Sequence, residues 1–134
     1  MATQGSTVTW TINKFYVVEP AGATAPAEII PLNGPFDVKV DFDGTGGAWQ
    51  ALENAKAPFE VKFYAEGIGF GAKELDLGTE NGNLSAGPYT VTRAVAAGID
   101  TEGVYRLGCL IRISPPSDVV GFEENLLISV SQQS

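Results

Sequence analysis

Histidine is absent from this 134-residue chain, and cysteine occurs once, at Cys109. Without imidazole there is no ordinary general base near neutral pH, no Ser-His-Asp or Cys-His arrangement, no common zinc site and no two-histidine iron triad. One cysteine excludes an internal disulfide framework. Hydrolysis through paired carboxylates survives these exclusions. The expectation is nevertheless a chain that is not an enzyme and carries no cofactor.

Positive charge is also scarce. Eight Lys and Arg stand against sixteen Asp and Glu, a net charge of −8 spread along the chain. Such a balance repels phosphate backbones and anionic lipid surfaces, so neither nucleic acid nor membrane is an expected partner. No apolar run approaches the roughly 20 residues of a membrane helix. Met1 to Ser6 has neither the basic nor the apolar part of a signal peptide. Cytoplasmic residence is therefore expected, with a viral particle as another setting.

What is abundant is glycine, with sixteen, and proline, with eight, in a chain that is 44% hydrophobic. This composition fits a turn-rich β protein and argues against disorder. The length is that of one domain, and no interior stretch is polar and long enough to divide it, so a single domain over 1–134 is expected. A chain of this size buries about two-thirds of its extended surface, enough for a core without disulfide or metal.

Successive side chains on a strand point to opposite faces, so alternation of apolar and polar residues is the strand signal. Phe36 to Phe42, Phe59 to Ala65, Tyr105 to Ile113 and Leu126 to Val130 carry it. Val8, Trp10 and Ile12 begin another strand, but Phe15 and Val17 fall out of phase. One extra residue near Asn13 and Lys14, a β-bulge, would account for the change. Shorter strands are expected at Glu28 to Ile30, Lys73 to Leu77 and Tyr89 to Val95. Turns are expected at Asn33-Gly34-Pro35, Asp43-Gly44, Asn81-Gly82, Ala86-Gly87-Pro88 and Ser114 to Ser117, with a loop over Pro20 to Pro26. The one helical turn runs from Ala48 to Ala55, with Trp49 and Leu52 on one face. The fold class is all-β, an antiparallel two-sheet sandwich of seven to eight strands.

Asp100, Gly103, Tyr105 and the apolar row after them resemble the entry to the penultimate strand of an immunoglobulin-like domain, where a tyrosine clasps the adjacent turn. The likeness covers about ten residues and implies immunoglobulin-like or related topology. Leu107 stands where the second bridging cysteine of antibody domains would be. C2-like and jelly-roll sandwiches stay open.

Candidate chemistry is sparse. Cys109 falls on the core side of its strand, where a free thiol is a small hydrophobe. Asp41, Asp43 and Gly44 could begin a calcium loop, but the pattern offers no further acid until Glu53. Asp76, Glu80, Asp100 and Glu102 would have to converge with them to change that reading. Gly67, Gly69 and Gly71 suggest a phosphate loop, yet a strand rather than a helix follows. Tyr64, on the polar face of its strand, and Trp49 and Phe70, in glycine-rich segments, are aromatics that could form a binding platform or cap the core.

If Tyr105, Leu107, Cys109, Ile111 and Ile113 face inward, Val104 and Leu110 face outward; if Leu126, Ile128 and Val130 face inward, Leu127 faces outward as well. Consecutive strands usually pair, which gathers Leu110, Leu127, Val104 and Tyr64 on one outer sheet face as an interface to itself or to another protein. The expected function is a non-enzymatic module that works through self-association or protein contact, as an assembly, decoration or accessory subunit. The alternative is a small-ligand or carbohydrate-binding module using Trp49 and Phe70, with calcium at Asp41 and Asp43.

Overall fold

The computed structural model describes residues 8–19, 27–69, 74–113 and 119–132. Along them run strands β1 (Thr9–Val18), β2 (Ile29–Pro31) and β3 (Phe36–Thr45), helix α1 (Gly46–Asn54), then β4 (Pro58–Ile68), β5 (Glu74–Asn83), β6 (Tyr89–Val95), β7 (Gly103–Ile113) and β8 (Val119–Ser131). One sheet has the order β1-β3-β6 and the other β2-β8-β7-β4-β5. The fold is all-β with two sheets. It is not wholly antiparallel, because β2 runs parallel to β8, pairing Ile29 with Ser129. Pro20 to Pro26, Phe70, Gly71, Lys73 and Ser114 to Ser117 lie outside the described residues.

The alternating apolar rows meet between the sheets. Phe36, Val38, Val40 and Phe42 from one sheet face Val61, Phe63, Ala65, Leu107, Cys109 and Ile111 from the other, all essentially without exposure. The bulge of β1 falls between Ile12 and Lys14 and moves Phe15 and Val17 onto the core side.

Two expected turns are strand. Asp43 and Gly44 pair with Thr11 and Trp10, and Asn81 and Gly82 pair with Glu60 and Phe59. In each, the glycine makes room for a ring rather than bending the chain: a Cβ on Gly44 would lie 2.3 Å from Trp49 Cδ2, and one on Gly82 2.6 Å from Phe59 Cζ. The real turn after β3 comes at Gly46, whose φ of +90° only glycine adopts without strain. Helix α1 follows and buries Trp49 and Leu52 in the core.

The two open sides are fastened differently. On one, β5 bulges where Phe63 opposes Gly78 and Tyr64 opposes Asp76, and Asp76 Oδ1 accepts the Gly78 N–H at 2.8 Å. Arg93 reaches over from β6, donating from Nε to the Leu77 carbonyl at 3.0 Å and pairing Nη1 with Glu80 at 2.9 Å. On the other side β1 runs beside β8, with the Trp10 indole against Gly121.

A third bulge decides which residues of β8 face outward. Leu107 opposes Leu126, but Cys109 opposes Glu123, so β8 carries one extra residue there. Val119 and Gly121 therefore lie on the core side with Leu126, Ile128 and Val130, whereas Val120, Phe122 and Glu124 share the outer face with Leu127. Among the described residues no helix is long and apolar enough to cross a membrane.

Candidate functional site

The outer face of the five-stranded sheet is built row by row from the strand register. Its first row runs Ile29, Ser129, Val104 and Ile68 across β2, β8, β7 and β4. The next holds Leu127, Arg106 and Glu66, with Arg106 and Glu66 3.6 Å apart in a salt bridge. Tyr64 and Gly108 form the third row with Glu124. Lys62, Leu110 and Phe122 form the fourth, and Glu60, Arg112 and Val120 the fifth.

Among the described residues, six large hydrophobic side chains are exposed: Ile29, Ile68, Val104, Val120, Phe122 and Leu127. Every one belongs to these rows, and none to the three-stranded sheet. Phe122 is the most exposed at 63%, with Leu127 at 49%. Scattered apolar residues on a surface need no explanation, but their restriction to one face does.

Of the expected interface residues, Leu110, Leu127 and Val104 lie on this face, though not side by side. Leu127 neighbours Arg106 and Leu110 neighbours Phe122. Tyr64 is also there, but not as a free platform. Its ring covers Gly108, and its hydroxyl donates to Glu124 Oε2 at 2.7 Å. Partial burial and the carboxylate beside it push the phenol well above its usual range. Ile68 joins the face as the outward continuation of the Phe59 to Ala65 alternation, whereas Phe122 and Val120 join it against the pattern of their strand. The Leu126 to Val130 phase, extended backward, turns Val120 and Phe122 inward; the charged break at Glu123-Glu124 is the only sign of the bulge.

Beside Leu110 the face dips into a shallow pocket of about 370 Å³, lined by Lys62, Tyr64, Glu74, Leu75, Asp76 and Leu110. It opens where the β5 bulge draws Leu77 into the core.

Among the described residues, the alternative ligand residues do not form a site. Trp49 is 2% exposed, stacked on Trp10 at 6.0 Å and edge-on to Tyr89 at 6.1 Å. It is a core residue, because Gly44 leaves space under its ring. Its Nε1 has no hydrogen-bond partner among the described residues. Phe70 lies outside them. Asp41 Oδ1 accepts from Thr90 Oγ1 at 2.9 Å and Asp43 Oδ1 from the Gly44 N–H at 2.8 Å. Glu80 is held by Arg93, and Glu102 accepts the Gln132 N–H at 2.8 Å. Among the described residues no three His, Cys, Asp or Glu side chains gather as metal ligands would. Cys109 is fully buried, and burial pushes its thiol up to about 12.

No family model and no curated protein matches the sequence. Among solved structures, a superoxide reductase (neelaredoxin) from Ignicoccus hospitalis is similar, with a TM-score of 0.52 at 17% identity, covering 91% of this chain and 80% of that one. A likeness at that identity is one of fold. It corrects the expectation of a non-enzymatic module, because an architecture that carries an enzyme gives no ground for excluding one. Reducing superoxide needs a one-electron donor, which proteins commonly supply as a transition metal held by imidazole or thiolate. A chain with no histidine and one core-sealed thiol does not provide such ligands.

Proposed function

We propose that the outer face of the five-stranded sheet is a protein-contact surface, with Leu110, Leu127, Val104 and Phe122 as the contacting residues. One observation carries the reading: all six exposed large hydrophobic side chains among the described residues belong to that face. Apolar area gathered in this way gains free energy when covered, at about 25 cal/mol per Å² removed from water. Tyr64 is a supporting residue, held between Gly108 and Glu124. Contact through this face does not bear on whether the chain also catalyses a reaction.

Strand order supports an immunoglobulin-like topology within the all-β class. With β1, β3 and β6 read as strands A, B and E, and β4, β7 and β8 as C, F and G, β5 extends the second sheet beside C. The Tyr105 hydroxyl donates to the Thr101 carbonyl at 2.6 Å, as the tyrosine of such domains bonds backbone a few residues upstream.

The experiment is a quantitative recovery of binding proteins by the wild type and by Leu127→Glu, with both melting temperatures measured. The variant should keep its melting temperature and lose what the wild type recovers. Equal recovery by the two proteins would overturn the proposal.

A further inference from the structure

The face carries its own counterpart. Phe122, the most exposed apolar side chain, projects from β8, and the 370 Å³ pocket opens between β4 and β5. Leu110 of β7 lies between them, paired with Phe122 on one side and Lys62 on the other. A contact between two copies is self-complementary, each residue of one meeting the same set in the other. Projection and pocket at one level on either side of a central strand meet that condition.

Charge points to the same partner. The chain is −8 overall, so most of its surfaces repel another copy. On the outward positions of β4, β7 and β8, however, Lys62, Arg106 and Arg112 balance Glu60, Glu66 and Glu124, with Glu74 and Asp76 at the β5 margin. Arg106 is paired with Glu66 and Arg112 stands directly opposite Glu60, so neither brings an unmatched charge to the centre. A basic partner would instead be drawn to the acidic remainder.

Resting on the contact-face reading above, we infer that the partner is a second copy of this chain, docked face to face about a two-fold axis running near β7, with each Phe122 seated in the other copy's pocket. Lys62 then lies against the incoming ring, an arrangement favourable for a cation once water is excluded. Leu110 meets Leu110 across the axis.

Sedimentation equilibrium on the whole chain tests this. The wild type should weigh as a dimer, and Phe122→Glu should raise the dissociation constant by about thirtyfold or more, as for an anchor at an interface centre. In a Cys109→Ala background, Leu110→Cys should give a disulfide-linked dimer on mild oxidation. Thr90→Cys in that background, on the other sheet, should not. A dimer without the Leu110→Cys crosslink overturns the axis. A wild-type monomer overturns the second copy; if Leu127→Glu still abolishes recovery of another protein, the contact face stands without it.

Discussion

Tyr64 covers Gly108 so closely that a Cβ on the glycine would lie 2.4 Å from the tyrosine Cζ. The two are cross-strand partners, and the ring's position there lets its hydroxyl reach Glu124 Oε2. Gly108→Ala must lift the ring. The clash is with the far end of a side chain on the solvent side, so the fold should survive, at a cost of about 0.5–1.5 kcal/mol, typical of one lost hydrogen bond. Once released, the phenol should titrate closer to its usual value. Site-resolved NMR titration of Tyr64 would read the shift, and Glu124→Gln should move it the same way. An unshifted phenol in both variants would mean that the carboxylate does not hold it.

Tyr105 joins core and turn. It is 3% exposed, and its hydroxyl bonds the Thr101 carbonyl. Tyr105→Phe keeps the packing and should cost about 1 kcal/mol. Tyr105→Ala also leaves a cavity and should cost about 3–5 kcal/mol, a large part of the roughly 5–15 kcal/mol of a domain. Denaturant unfolding of the two variants separates these terms. Equal losses would show that the ring contributes nothing beyond its hydroxyl.

Cys109 sets an alkaline limit. Its thiol is raised to about 12 by burial, against about 8.5 in an unfolded chain. The folded state therefore holds its proton more tightly, and the stabilisation is complete below pH of about 8.5 and lost as pH rises toward the folded value. The slope for one proton is about 1.4 kcal/mol per pH unit. Tyr89, raised to about 12 by burial and its bond to Glu53, adds to the loss above pH of about 10. Unfolding free energies from pH 8 to 11 should fall, and Cys109→Ala should flatten the part just above pH 9. A native thiol that reacts quickly with a labelling reagent would contradict the sealed core.

How far the fold is legible in the sequence follows the bulges. Phe15 and Val17 break the phase of Val8, Trp10 and Ile12, so the alternation alone places the extra residue of β1. In β8 the break falls among Glu123, Glu124 and Asn125, where no apolar residue records the phase, and the outward turn of Phe122 leaves no trace in the pattern. Gly44 and Gly82 read as turns because a glycine that yields to a neighbouring ring has the same signature as one that bends the chain. Ring and glycine are distant in sequence at Gly82 and Phe59, so only tertiary packing distinguishes the two.

That distinction yields a contrast between two glycines. At Gly44 the added Cβ would lie 2.3 Å from Cδ2 of Trp49, as close as the approach at Gly108. Trp49, however, has no solvent side to move toward. Trp10 stacks on it, Tyr89 meets it edge-on, and its helix buries it in the core. Gly44→Ala must therefore displace α1 or Trp10, an overpacking cost of about 1–3 kcal/mol. Its melting temperature should fall below that of Gly108→Ala, with tryptophan emission shifted to the red as the indoles meet water. Equal melting temperatures with unchanged emission would show that the helix end yields as freely as the Tyr64 ring.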